Sequence, residues 1–96
     1  MKKLFKRNYD AVVNRGLITE NTTDVDFLEK LKEETIETSN EVYSKRMFND
    51  NNPDLLHQEI ADCLTVCANW LIFNKVDLTE ILTQIAEKNE KRSIKT

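Results

Sequence analysis

Apolar residues along this chain recur three and four positions apart, and no stretch alternates strictly between apolar and polar. That period belongs to amphipathic helices rather than strands. The first helix is expected from about Leu4 to Asn14, with Leu4, Phe5, Val12 and Val13 as its apolar share, and Arg15-Gly16 ends it. A polar connector, Thr19 to Thr23, leads to a second helix beginning near Asp24–Asp26, where Asp26 and Glu29 stand at capping-box-like spacing. It carries Phe27, Leu28, Leu31, Ile36 and Val42 and fades near Arg46. The segment Met47-Phe48-Asn49-Asp50-Asn51-Asn52 reads as a loop, with Asn52 as N-cap and Pro53 in the first turn of a third helix. That helix reaches about Asn74, with Leu55, Leu56, Ile60, Cys63, Leu64, Cys67 and Leu71 at helical spacing. A fourth starts at Asp77, paired with Glu80, and is expected to bury Leu78, Ile81, Leu82 and Ile85. The expected fold is therefore all-α, an antiparallel bundle of about four helices.

Length sharpens this picture. At 96 residues and 40% hydrophobic, the chain is one domain with a modest core, which pairing with further copies of itself would complete. A single Gly and a single Pro suit long helices on short loops. The net charge of −3 argues against a broad nucleic-acid-binding surface. The basic opening Lys2-Lys3-Leu4-Phe5-Lys6-Arg7 lacks the apolar run of a signal peptide, and Ile60 to Phe73 is too short and polar to span a bilayer. A cytoplasmic protein without membrane contact is the expectation. Cys63 and Cys67, one turn apart, read as small buried thiols, since His57 is the only histidine that could join them at a metal.

Charge placement then singles out two pairs. Three of the four helical neighbours of Glu37, namely Glu33, Glu34 and Glu41, are acidic, which weakens a helix unless a cation is near. Asp62 sits in the apolar run Ile60-Ala61-Asp62-Cys63-Leu64, and no Lys or Arg occurs between Arg46 and Lys75. With Glu59 three residues before it, this carboxylate pair is costly to bury without an outside cation. The midpoint between Glu34/Glu37 and Glu59/Asp62 falls near Phe48, so a chain doubling back there sets both pairs at one height. Each pair is roughly 60° apart around its helix and can aim at one spot. Four carboxylates so placed repel unless a divalent ion is bound, and oxygen-only ligands favour Mg²⁺ or Mn²⁺. Spacing alone equally allows a solvated acidic face. A ferritin-like di-iron site fits less well, lacking two Glu-x-x-His elements.

Lys32-Glu33-Glu34-Thr35-Ile36-Glu37, followed after 21 residues by Glu59-Ile60-Ala61-Asp62, resembles the EExxE…ExxD signature of MazG-like all-α nucleotide pyrophosphohydrolases. The resemblance covers about Asp24 to Arg92, with 1–23 an N-terminal helix and connector and 93–96 a tail of one domain, 1–96. It implies hydrolysis of a nucleoside triphosphate to the monophosphate and pyrophosphate, with Mg²⁺ held by Glu34, Glu37, Glu59 and Asp62 and with Glu33 in support. Lys88-Asn89-Glu90-Lys91-Arg92 resembles the family's K-N-x-x-R element, so Lys88, Asn89 and Arg92 would contact phosphates. Trp70 and Phe73, or Phe5 and Tyr9, are candidates for stacking on a base, although aromatics at such spacing are commonly core. The family implies a homodimer or homotetramer. Phosphoribosyl-ATP pyrophosphohydrolase or dUTPase-type specificity are alternatives within the superfamily, and a non-catalytic helical interaction protein is one from another class.

Overall fold

The protein, as a computed structural model, is described over residues 1–48 and 53–94. Its elements are α1 (Lys2–Asn14), α2 (Asp24–Phe48), α3 (Pro53–Phe73) and α4 (Leu78–Ile94), with no strand among the described residues. The all-α expectation holds.

Local chemistry explains the boundaries. At the end of α1, Gly16 takes φ +76°, Leu17 N–H donates to Val12 C=O at 3.2 Å and Gly16 N–H to Val13 C=O at 2.9 Å. This is a Schellman cap, and glycine carries the positive φ without steric cost. The cap of α2 is three residues earlier than expected. Thr23 is the N-cap: its N–H donates to Asp26 Oδ2 at 2.8 Å and Asp26 N–H donates back to Thr23 Oγ1 at 3.3 Å. Because the helix starts at Asp24, Asp26 is its third residue, and the box closes on Thr23 rather than on Glu29. Asp77 caps α4 as expected, accepting Glu80 N–H at 3.0 Å. Met47 and Phe48 belong to α2 rather than to a loop, while Asn49 to Asn52, including the expected N-cap Asn52, lie outside the described residues.

The helices α2 and α3 form an antiparallel hairpin, the principal packing of the fold. Its register is fixed by Thr38 Oγ1 donating to Glu59 C=O at 3.2 Å and by Trp70 Nε1 donating to Asp24 Oδ1 at 2.8 Å. Both pairings are nearly symmetric about Phe48, as the sequence spacing requires. α1 lies against α3, and α4 makes only sparse contact with it. The radius of gyration, 16.1 Å, exceeds the roughly 12–13 Å of a compact chain this long. The fourth helix therefore departs from the hairpin instead of closing a tight bundle.

The core is correspondingly small. Ile18, Phe27, Val66, Ala68 and Leu78 are its buried apolar residues, and Phe27 is its centre. The Phe27 ring stacks on Trp70 with centroids 6.0 Å apart and tilts against Phe73 at 5.3 Å. Several apolar residues expected inside are instead outside: Ile36, Val42, Leu55, Ile60, Leu64, Leu82 and Ile85 are all exposed. Among the described residues of α4 only Leu78 is buried, in keeping with the sparse contact between this helix and α3. Ile18, at the edge of a connector that reads as polar, enters the core in their place.

Candidate metal centre

Hairpin register decides which carboxylates meet. Glu34 on α2 and Glu59 and Asp62 on α3 each offer an oxygen, and these atoms all lie within 4.8 Å of one another. Burial is distributed differently from the sequence expectation. Glu34 is the most deeply buried acid, at 8% exposure, Glu59 is half-buried, and Asp62 is exposed rather than half-buried. Asp62 stands at the rim because the helix face it occupies borders a cavity rather than the hairpin seam.

Glu34 has a partner that the sequence could have revealed. Lys30, four residues earlier, places its Nζ 3.2 Å from Glu34 Oε1 and 3.6 Å from Glu33 Oε1. Its ammonium is held protonated above the usual lysine range, first by the bond to Glu34. The other Glu34 oxygen, Oε2, is buried with no hydrogen-bond partner among the described residues, and so is Glu59 Oε2. An anionic oxygen buried without a donor is expensive. Two such atoms beside Asp62 form a donor set of hard oxygens that a divalent cation satisfies.

Glu37 is exposed, one turn beyond Glu34 and outside the tight trio. Its carboxyl titrates above the ordinary value because of the Glu34 charge first, then desolvation, a side-chain hydrogen bond with Glu34, and the charges of Glu59 and Glu33. It therefore belongs to the same electrostatic site. Glu33 is exposed and turned to Lys30. Thr38 ties the site together from below: its single hydroxyl proton is shared between Glu34 C=O at 2.9 Å and Glu59 C=O at 3.2 Å, with Cys63 Sγ at 3.4 Å. Cys63 and Cys67 are both free thiols.

A cavity of about 480 Å³ adjoins the acids, with Glu34, Lys30 and Asp62 at one end and Phe27 and Asn69 toward the other. Residues from the end of α1 and the following connector, Arg15 and Ile18 among them, form its third wall. That volume suits a small-molecule site, typically about 300–1,000 Å³. Asn69 and Lys30 were not singled out from sequence; their signal was spacing, seven residues after Asp62 and four before Glu34. Trp70 and Phe73 are half-buried against Phe27, and neither lines this cavity. Lys88 and Arg92 border a shallow groove on α4 itself, and neither they nor Asn89 line the acidic cavity. Tyr9 faces a separate groove rimmed by Lys2, Lys3, Lys6 and Lys75.

Helices that converge carboxylates on one oxygen-rich site define an all-α domain suited to divalent-metal chemistry on phosphates. The MazG nucleotide pyrophosphohydrolase domain family matches residues 22–95, more than three-quarters of the chain. This chain belongs to that family and is a hydrolase acting on nucleotide phosphoanhydride bonds. No curated protein and no solved structure matches it. Among the described residues, no helix is long and apolar enough to cross a membrane.

Proposed function

We propose that this chain hydrolyses a nucleoside or deoxynucleoside triphosphate to the monophosphate and pyrophosphate, dependent on Mg²⁺. The observation that carries the reading is the convergence of Glu34, Glu59 and Asp62, two of which bury an oxygen, Glu34 Oε2 and Glu59 Oε2, with no partner among the described residues. Glu34, Glu59 and Asp62 hold the ion directly, and Glu37 completes the set from the next turn. An ion held by these residues would supply charge neutralisation for the phosphates and activation of the attacking water. Glu33 keeps Lys30 near the rim, where the lysine balances the acids until the ion arrives. Mn²⁺ suits the same oxygens.

The apolar surface left on Ile36, Ile60, Leu64 and Leu82 supports a homo-oligomer, a dimer or tetramer, in which neighbouring copies cover it. In that assembly Lys88, Asn89 and Arg92 of one copy clamp phosphates at the acids of another. Lys88 and Arg92, one turn apart, suit this role by sharing a helix face. Trp70 and Phe73 support the nucleoside end of the cavity from behind, through Phe27.

The test is pyrophosphate release from a panel of nucleotides with Mg²⁺ and with EDTA. Release is expected only with the ion, and Asp62→Asn and Glu37→Gln should each lower it at least about a thousandfold, some 4 kcal/mol of transition-state stabilisation. Full activity of both variants would remove the metal site from the mechanism.

A further inference from the structure

A triphosphate brings more negative charge than the acidic site can balance. A divalent ion and the Lys30 ammonium together offset only Glu34, Glu59 and Asp62, so the phosphates need a further cation. Among the described residues, the cations that line the acidic cavity are Lys30 and Arg15. Lys88 and Arg92 border a groove of their own. Lys30 is engaged by Glu33 and Glu34, whereas Arg15 enters no ion pair and no side-chain hydrogen bond among the described residues.

The course of α1 explains how Arg15 reaches this place. The helix starts where Lys2 Nζ meets Asp77 Oδ2 at 2.9 Å, beyond the end of α3. Further along, Tyr9 shares a groove with Ile72 and Val76, and Val12 and Arg15 share the acidic cavity with Asp62 and Thr65. α1 therefore runs antiparallel to α3. From Lys2 to Arg15 it rises about 20 Å, enough to pass from Asp77 to the height of Thr65 and Asp62. The Schellman cap then holds the backbone: Arg15 N–H donates to Ala11 C=O at 3.1 Å, and Gly16 and Leu17 close the turn behind it. The residue itself is exposed. All five guanidinium N–H groups donate, so any edge turned to the cavity offers a fork to a phosphate. Arg15 and Ile18 precede residue 22, so this wall lies outside the stretch matched to the family.

We propose that Arg15 is a substrate-binding residue that grips the phosphate chain of a nucleotide held at the acids of its own chain, delivered there by α1. The proposal rests on the hydrolase reading above. A cation closing α1 also favours the helix dipole, but a purely structural role of that kind changes melting and leaves nucleotide affinity alone.

The wild-type chain is compared with Arg15→Ala and with Arg7→Ala, a control that removes the same charge from a groove elsewhere on α1. Melting curves confirm folding. KM for pyrophosphate release is read with Mg²⁺ on whichever nucleotide the wild type hydrolyses fastest. Calorimetry reads binding of tripolyphosphate with Mg²⁺, a probe with the phosphates and no base. Arg15→Ala should raise both KM and the tripolyphosphate Kd about tenfold or more. Arg7→Ala should leave both within about twofold of the wild type. Arg15→Gln replaces Arg15→Ala if the latter does not fold. An unchanged KM or Kd in the folded Arg15 variant, an equal loss in Arg7→Ala, or no tripolyphosphate binding by the wild type overturns the assignment and leaves the hydrolase intact. No release from any nucleotide overturns both.

Discussion

The two ends of the α2–α3 hairpin use the same helices and solve opposite problems. At the end where α2 begins, Phe27, Trp70 and Phe73 pack together, and Asp24 accepts hydrogen bonds from Trp70 at 2.8 Å and Asn74 at 3.3 Å. Apart from the Asn69 amide oxygen, that end is self-satisfied. One turn beyond Lys30, Glu34 and Glu59 each bury an oxygen that has no partner among the described residues, and the flanking apolar residues Ile36 and Ile60 lie open at 60% and 52% exposure. Stability and function are therefore separated along one hairpin. The aromatic end holds the helices in register, so that the acidic end can be assembled at a cost.

The largest effect on folding should come from breaking the self-satisfied end. Phe27→Ala removes the central ring of a core with few buried residues and should cost about 3–5 kcal/mol. Since about 1 kcal/mol moves the midpoint of so small a domain by roughly 4–8 °C, thermal denaturation should show a loss well above ten degrees. A near-unchanged midpoint would mean that another contact fixes the register.

The second contrast is the response to metal. Saturating Mg²⁺ at about a hundred times its Kd should stabilise the chain by roughly 2.7 kcal/mol through mass action. Asp62→Asn should abolish most of that gain, while Phe27→Ala should lower the starting midpoint and keep it. Differential scanning fluorimetry with Mg²⁺ and with EDTA reads both. An equal gain in wild type and Asp62→Asn would place the ion elsewhere and favour the acids as a solvated or partner-binding face.

How much of this was legible in the sequence follows the same division. Helix boundaries were readable because Gly16, Pro53 and Asp77 act locally, and the facing of Glu34 with Glu59 and Asp62 followed from a register symmetric about Phe48. Burial was not. Glu34, Glu59 and Asp62 all have helical spacing, but only the packed hairpin makes Glu34 the interior acid and Asp62 the rim. Leu82 and Ile85 have the same periodicity as a core face and are exposed, since period reports that a face is apolar and not what covers it. Asn69 was overlooked for a related reason: a polar residue in an apolar run gains meaning only when its partner can be seen to be missing.

The smallest effect is also the most discriminating, because the two ends should respond to acid with opposite sign. Asp24 titrates below the ordinary carboxylate value of 3.8, held down first by the Trp70 hydrogen bond and then by Asn74. A depressed carboxylate stabilises the fold above its ordinary value, and that contribution disappears as pH falls through the lowered one. Glu37 is displaced upward from 4.5 by the charge of Glu34. Its penalty is absent in acid, where the group is protonated folded or unfolded, and sets in as pH rises past 4.5 through the raised value. Without divalent metal, Asp24→Asn should thus melt below the wild type at neutral pH, and Glu37→Gln should melt above it. Both differences should shrink as the solution is acidified through the range where each group titrates. Adding Mg²⁺ should reverse the Glu37→Gln difference alone, since the charge that destabilised the metal-free fold then becomes a ligand. A Glu37→Gln variant that melts below the wild type in EDTA would show that repulsion among these acids is already relieved within the chain, by Lys30 above all.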